Sequence, residues 1–252
     1  ISSQNASSGV FNSEITAKNI GVHTKKTVNV KIEKSTITAS GKVVIVEECY
    51  ASIINRNILK SNSATDVLYY KNTTDFLASV IFFILNISNN ITNNFIIHKS
   101  NDVSCNGISI DNSDGIFIHN NSISMNGGTF SKAYYSNYED GARVSIKNNS
   151  FACFGQASVN NLAFDAPYIY PSTVYKINNN NLFVQFGENL CKINNTLYNS
   201  TNFRENPQGY FSNSINNNPR YINNIENLRI DCKSPLIDKS EMPPIGQIFF
   251  IH

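Results

Sequence analysis

Tryptophan is missing from this 252-residue chain, and acidic and basic residues together make up only 15% of it. The formal net charge is +2, and the lysines and arginines are scattered rather than clustered. Proteins that bind nucleic acid or anionic membranes usually carry grouped basic residues. The longest apolar run, residues 76–87, is interrupted twice and is too short to cross a bilayer. We therefore expect neither nucleic-acid binding nor membrane insertion.

Cysteine is scarce and occurs in an odd number. The five residues are Cys49, Cys105, Cys153, Cys191 and Cys232, and no two are close in sequence. This spacing matches neither a metal-binding motif nor a disulfide framework. We expect buried thiols that pack as small apolar side chains, with a Cys191–Cys232 bridge as the alternative.

Proline is absent from the first two thirds of the chain, since all seven prolines lie after residue 166. A long proline-free region suits stacked parallel strands, in which every backbone N–H donates to a neighbouring strand. The chain also starts at Ile1, without a methionine or an apolar leader. We therefore expect a mature or trimmed product whose residues 1–14 are flexible.

Asparagine, in contrast, is abundant and supplies 41 of the 252 residues. One explanation is an AT-rich coding sequence, which also raises the content of isoleucine and lysine. The other is structural, because the corners of a β-solenoid accept asparagine repeatedly and stack it into ladders. Both explanations can hold together.

The region 107–124, G-I-S-I-D-N-S-D-G-I-F-I-H-N-N-S-I-S, is the clearest structural unit in the sequence. It alternates between apolar and polar residues in two short runs, and an asparagine-containing corner follows each run. Alternation with a period of two predicts strands that bury one face. Three short strands and two corners within about 20 residues predict one coil of a parallel β-solenoid.

The same corner, two asparagines followed within two residues by an apolar residue, begins at residues 93, 120, 148 and 180. With two related corners, the apolar markers fall at residues 37, 58, 96, 123, 151 and 183. A bare coil needs roughly 20 to 25 residues, so longer steps indicate coils with inserted loops. The sequence therefore predicts an all-β parallel solenoid of about six to eight coils over residues 15–186. Residues 187–252 are expected to form a C-terminal cap.

These coils resemble the right-handed parallel β-helix proteins of the pectin-lyase-like group. The tail adds a second resemblance, through its segments 218–222, 228–230, 234–238 and 245–246. In order and spacing they are similar to the choice-of-anchor segment that ends many bacterial surface β-helix proteins. Lys239 and Pro244 depart from that pattern, where the family has a small residue and an aspartate. The resemblance implies a right-handed β-helix that is exported or attached to the cell surface and often contacts polysaccharide.

Pectate-lyase-like enzymes of this fold combine carboxylates that hold Ca²⁺ with an arginine or lysine base. The best local match is Glu139-Asp140-Gly141-Ala142-Arg143 with Lys147. The resemblance thus gives Asp140, Arg143 and Lys147 as candidate catalytic residues. Ca²⁺ is expected only for a lyase, and no other cofactor or metal site is expected. The alternative is a solvated outer strand face beside a loop.

Aromatic residues suggest a second group of candidates. A flat β-surface with tyrosines beside it suits stacking on sugar rings, while packing of loops onto the helix is the alternative. Asp102, Asp111 and Asp114 form a further acidic group, unless they cap turns. The candidate ligand-binding residues are Glu139, Tyr134, Tyr135, Tyr138, Tyr168 and Tyr170.

Three functions stay open at this point. The leading hypothesis is a non-catalytic exported or surface protein that presents a flat face for glycan binding or adhesion, with polysaccharide or surface glycan as its partner. The second is a polysaccharide lyase or glycoside hydrolase, and the third is a surface or fibre component of a virus or phage. An extracellular or cell-surface location is expected, and the sequence does not decide between monomer and trimer.

Overall fold

The computed structural model describes residues 7–62, 66–73, 89–99, 105–128, 130–137, 143–155, 160–169, 174–205, 209–211, 213–231 and 233–236. Within these ranges the regular secondary structure consists of short strands. No helix in this part of the chain is long and apolar enough to span a membrane.

Twenty-one of the described strands wind into seven coils of three strands each. Coil 1 contains β1 (Ser8–Phe11), β2 (Glu14–Ala17) and β3 (Val22–Lys25); coil 2 contains β4 (Val28–Glu33), β5 (Thr36–Ala39) and β6 (Val44–Glu47). Coil 3 contains β7 (Tyr50–Asn55), β8 (Ile58–Ser61) and β9 (Asp66–Lys71); coil 4 contains β10 (Asn89–Thr92), β11 (Phe95–His98) and β12 (Asn106–Asp111). Coil 5 contains β13 (Ile116–His119), β14 (Ser122–Met125) and β15 (Lys132–Asn137); coil 6 contains β16 (Arg143–Lys147), β17 (Ser150–Cys153) and β18 (Leu162–Ala166). Coil 7 contains β19 (Val174–Asn178), β20 (Asn181–Val184) and β21 (Asn189–Ile193).

Equivalent strands of successive coils pair in parallel and form three sheets. Sheet A contains the first strand of every coil, sheet B the second and sheet C the third. The predicted all-β parallel β-helix is therefore confirmed, and its seven coils lie within the predicted range. The coils begin at Ser8 and end at Ile193, whereas the sequence placed these limits at residues 15 and 186.

Each coil places an apolar side chain on that of the coil before it. On the inner face of sheet B this column is fully buried and consists of Ile37, Leu59, Ile96, Ile123, Phe151 and Leu182. Four of the markers that gave the coil step, residues 37, 96, 123 and 151, lie in this column. At the other two corners the column residue is Leu59 or Leu182, one position from the marker. In a strand, a shift of one residue moves a side chain to the opposite face.

A ladder of buried asparagine side chains runs along the corner between sheets A and B. Its members are Asn57, Asn94, Asn121, Asn149 and Asn180, with Ser35 at one end and Ser214 at the other. At Asn121, both the backbone N–H and Nδ2 donate to Oδ1 of Asn149, each over 3.0 Å. Nδ2 also donates to the carbonyl of Ile91 over 2.8 Å. The predicted stacking of asparagine at the corners is thus confirmed.

In coil 1 the equivalent position is Ser13, whose N–H donates to Ser35 Oγ. In each of the seven coils, the residue before this position lies in the left-handed region, with φ between 48° and 58°. These residues are Asn12, Lys34, Arg56, Asn93, Asn120, Asn148 and Asn179. Asparagine tolerates this conformation better than most residues other than glycine. The two asparagines of a corner therefore serve different purposes, since the first makes the bend and the second joins the coils.

The C-terminal part closes the end of the β-helix. Strand β22 (Thr196–Asn199) pairs antiparallel with β21, so it ends the parallel stack. Phe203 and Phe211 are buried behind it, and the Phe211 ring lies 5.1 Å from that of Phe164 in coil 6. An apolar cap of this kind shields the open end of a solenoid from water and from edge pairing.

The chain then turns back along the outer face of sheet B. There β23 (Tyr221–Asn223) and β24 (Asn227–Ile230) form an antiparallel hairpin. The Tyr221 hydroxyl lies 2.7 Å from Ser150 Oγ in coil 6, and Leu228 packs with Phe95 and Ile97 in coil 4. The hairpin therefore lies along several coils rather than on the end of the stack.

The described cysteines, Cys49, Cys105, Cys153 and Cys191, are free and buried. Burial raises the pKa of the Cys153 and Cys191 thiols to about 12, which keeps them protonated and unreactive. The expectation of apolar, buried thiols is confirmed for these four, and Cys191 has no disulfide partner among the described residues. Cys232 lies outside them.

Candidate functional site

A shallow groove of about 340 Å³ lies on the outer face of sheet A across coils 5, 6 and 7. Strands β13, β16 and β19 pair in register there, so their outward side chains form one patch. We call this patch the sheet A groove. Its main residues are Phe117, His119, Arg143, Ser145, Lys147 and Lys176.

The sheet A groove contains two of the three predicted catalytic residues. Arg143, Ser145 and Lys147 are half-exposed on the outer face of β16, while Val144 and Ile146 are buried in the core. The strand therefore alternates between outward polar and inward apolar residues. Asp140 and the neighbouring Glu139 lie outside the described residues.

The three cations of the groove differ in their surroundings. The Arg143 guanidinium forms a salt bridge with Asp114 over 3.1 Å, and the same carboxylate accepts from the backbone N–H of Arg143 and Gly115. Asp114 thus caps a turn, as one reading of the sequence anticipates. No described carboxylate lies within salt-bridge distance of Lys147 or Lys176. These two ammonium groups are therefore available to an external anion.

His119 lies beside these cations and contacts Ser145, with Nε2 and Oγ 3.0 Å apart. Burial, together with the charge of Lys147, lowers the pKa of the imidazole. A neutral histidine next to a serine resembles the base and nucleophile of acyl-transfer enzymes. Such enzymes orient the imidazole with a third group, and no described carboxylate contacts His119. We therefore assign the pair no catalytic role.

Sequence reasoning missed the His119–Ser145 pair because the two residues are 26 positions apart. The register of coils 5 and 6 brings them together, since His119 pairs with Lys147 and lies diagonally from Ser145. A coil period of 28 residues between the corners at Asn120 and Asn148 would have been the signal to use.

Tyr134 is not a ligand-binding residue, and that prediction needs correction. Its side chain is fully buried and stacks on Phe164, with ring centroids 4.5 Å apart. In β15 the alternation turns Tyr134 into the core and Tyr135 outward onto sheet C. The stack belongs to the core and explains the need for an aromatic residue there.

Tyr135 and Tyr168 lie on the side of sheet C, away from the sheet A groove. Tyr69 and Tyr135 belong to one row of side chains, separated by Ser109 and hence by two strand spacings, about 9.6 Å. Lys42 lies 3.8 Å from the centre of the Tyr69 ring, and Lys132 lies 4.3 Å from that of Tyr135. Tyr138 and Tyr170 fall outside the described residues.

The charges on sheet C compensate one another. Lys42 pairs with Asp66 over 2.9 Å, and Lys132 pairs with Asp165 over 2.6 Å. Asp111 accepts a hydrogen bond from the Tyr69 hydroxyl over 3.1 Å, and burial raises the pKa of that phenol. The predicted site residues are thus divided between two faces, the sheet A groove and the outer face of sheet C.

No set of three or more histidine, cysteine, aspartate or glutamate side chains suited to a metal ion occurs in the described part of the chain. Comparisons with family models, with curated proteins and with solved structures found no match to this chain. The functional argument therefore depends on the geometry of the two faces.

Proposed function

We propose that this protein is an exported or surface-exposed β-helix protein that binds a glycan without cleaving it. The sheet A groove is the proposed contact site, and its preferred ligand is a glycan with carboxylate or sulfate groups. The single observation that carries the proposal is the pair of ammonium groups, Lys147 and Lys176, which have no carboxylate partner among the described residues and lie on an open, flat β-surface.

The groove offers both of the interactions that an acidic sugar needs. Phe117 is 36% exposed, and its ring can stack on the C–H face of a pyranose. Lys147 and Lys176 can pair with the anionic groups of the same sugar or of its neighbour. Ser145 adds a hydroxyl between them.

The side chains of the site favour binding over cleavage. A glycoside hydrolase uses a pair of carboxylates beside the bond that it cleaves, and the described residues that line the groove include no carboxylate. Arg143, a candidate base under the lyase hypothesis, is held by Asp114. A charged guanidinium next to a carboxylate is a poor proton acceptor.

The pectin-lyase-like resemblance of the coils and the choice-of-anchor resemblance of the tail support an extracellular or cell-surface location. A long rigid solenoid with one anion-attracting face suits adhesion to an acidic polysaccharide. Tyr135 and Tyr168 on sheet C stay predicted contacts for a glycan that reaches that face.

The test is titration calorimetry with oligogalacturonate as the acidic ligand and dextran oligomers as the neutral control. We expect Lys147→Gln/Lys176→Gln to weaken oligogalacturonate binding at least tenfold, because two direct ion pairs are lost. Raising the salt concentration should weaken binding to the unmodified protein as well. Lys18→Gln/Lys31→Gln removes the same charge from other exposed positions and should change little.

Equal affinity of both double variants, or binding of dextran as tight as that of oligogalacturonate, would contradict the proposal. The same samples, incubated with Ca²⁺ and followed in the ultraviolet, test the lyase hypothesis. Accumulation of unsaturated product would replace the binding function by an enzymatic one.

A further inference from the structure

A second and larger groove lies between the outer face of sheet B and the C-terminal hairpin, next to the corner between sheets A and B. Its volume is about 610 Å³, within the range of small-molecule sites. Ile58 and Phe95 form its apolar floor, and Arg229 of β24 lines it from the side of the hairpin. Lys34 and Arg56 lie at the corner of sheets A and B. We call this site the hairpin groove.

Lys34 and Arg56 occupy positions where the fold favours asparagine. Both have positive φ, 52° and 57°, and the equivalent residue of the other five coils is asparagine. Lysine and arginine are less suited to this conformation, so their presence costs stability. The two exceptions are in coils 2 and 3, next to each other and at the hairpin groove.

Their side chains also carry charges of the same sign. Lys34 and Arg56 are one coil apart, so their backbones are separated by about the strand spacing of 4.8 Å and two cations extend from neighbouring corner positions. The corner between sheets C and A shows the opposite arrangement, since Lys26 and Glu48 also have positive φ and form a salt bridge over 3.5 Å. At that corner, charges of opposite sign are therefore paired.

The hairpin supplies a third cation, Arg229, and a carboxylate, Glu226, to the lining of the groove. Glu226 forms salt bridges with Lys60 and Lys99. Among the described residues, no carboxylate is within salt-bridge distance of Lys34, Arg56 or Arg229. The groove thus joins three cations, for which the described residues supply no counter-ion, to an apolar floor.

We propose that the hairpin groove binds a small organic anion with an apolar ring or chain, such as an aryl carboxylate, sulfate or sulfonate. The anionic group lies between Lys34, Arg56 and Arg229, and the apolar part lies on Ile58 and Phe95. A planar, bidentate guanidinium suits such oxyanions. This site is independent of the sheet A groove and of the glycan proposal.

The test uses 2-naphthalenesulfonate as probe and isothermal titration calorimetry as readout. Lys34→Asn/Arg56→Asn gives coils 2 and 3 the corner residue of the other coils. We expect this variant to bind the probe at least tenfold more weakly and to melt at the same or a higher temperature. Loss of binding together with gain of stability would separate a ligand role from a structural one.

Two controls define the ligand chemistry. Lys18→Asn/Lys31→Asn removes two exposed lysines outside the groove and should leave the affinity for the probe within about twofold. The uncharged analogue 2-naphthalenemethanol should bind at least tenfold more weakly than the sulfonate, and inorganic sulfate should also bind more weakly because it has no apolar part.

The proposal is overturned if Lys34→Asn/Arg56→Asn binds the probe as tightly as the unmodified protein, or if it melts at a markedly lower temperature with unchanged binding. Binding of the alcohol as tight as that of the sulfonate would contradict the role of the cations. Equal affinity for sulfate would contradict the role of the apolar floor.

Discussion

Where a corner contains two asparagines, the two residues have different roles. Asn120 has φ of 58° and sits at the bend, while Asn121 is fully buried in the ladder. A bent backbone position needs tolerance of positive φ, and a buried amide needs partners for each of its polar atoms. Substitution at these two neighbours should therefore have different costs.

We expect Asn121→Ala to lower the free energy of unfolding by about 3 kcal/mol, because it leaves the backbone N–H of Asn94 buried without its acceptor. Asn120→Ala should cost about 1 kcal/mol through the left-handed conformation. Asn120→Gly is the matched control and should be nearly neutral. Urea denaturation of the three variants measures these differences, and equal losses would contradict the division of roles.

His119 gives a pH-dependent contribution to stability. Its pKa in the folded protein is lowered by burial and by Lys147, so folding favours the neutral ring. This stabilising contribution is present above the pKa of the unfolded state, about 6.5, and is lost as the pH falls through the lower pKa of the folded state. The urea midpoint of His119→Gln should therefore fall less between pH 7 and pH 5 than that of the unmodified protein. An identical pH dependence would show that His119 is not the group responsible.

At the residue level the sequence predicted which residue types occupy the corners. It did not predict for every strand residue whether the side chain points into the core or outward. A buried strand such as β20, N-L-F-V, contains apolar residues on both faces, so alternation alone does not distinguish Leu182 from Phe183. Tyr134 and Tyr135 gave the same ambiguity. Only pairing with the neighbouring coil decides such cases.

At the level of elements, the hairpin of β23 and β24 is the part that the sequence did not place. The tail was expected as a cap, and its first part does cover the last coil. The second part depends on contacts over long sequence distances, such as Tyr221 with Ser150 and Glu226 with Lys60. Sequence periodicity contains no record of contacts between residues 71 or 166 positions apart.

The salt bridges of Glu226 should make the attachment of the hairpin sensitive to acid. Lys60 and Lys99 lower the pKa of this carboxyl to about 2. The stability that Glu226 contributes is complete above the pKa of the unfolded state, about 4.5, and is lost as the pH falls towards 2. Because Glu226 is half-exposed, solvent screening limits the contribution to about 1 kcal/mol.

Hydrogen exchange in β23 and β24 measures this effect. We expect faster exchange at pH 3 than at pH 6, after correction for the intrinsic rates, with little change in the coils. In Glu226→Gln the corrected difference between the two pH values should shrink, and exchange at pH 6 should be faster than in the unmodified protein. Exchange in the hairpin that is unaffected by the substitution would contradict the prediction.

At the level of the whole molecule, each coil contacts mainly the coil before it and the coil after it. The stability of such proteins is approximately a sum of coil terms and interface terms. Among the described strands, those of coil 1 pair with coil 2 alone, and β2 has no fully buried residue. We therefore expect amide protection to increase from coil 1 to coil 4. Equal protection of these coils in native-state hydrogen exchange would indicate that the stack unfolds as one unit.

The number of coils was predictable because a polar corner pair followed by an apolar residue recurs along the whole stack. The pair is Asn-Asn at most corners, and Lys34-Ser35 or Arg56-Asn57 at two of them. The function was less predictable, because a binding face is assembled from single outward residues of several coils. Phe117, Lys147 and Lys176 lie on three different strands, and no local motif unites them.

The asparagine ladder also makes the length of this protein adjustable in whole steps. A segment that starts at one ladder residue and ends before the next, such as residues 94–120, contains one ladder asparagine and one bend residue. Its ladder asparagine can donate to the next coil and accept from the coil before, as Asn94 and Asn121 do. Duplication of that segment would lengthen the β-helix by about 4.8 Å. The coils on either side of the copy would keep the same contacts that they make now. Outward residues copied with it would repeat at the same interval, so a longer variant would gain contact sites in proportion to its added length.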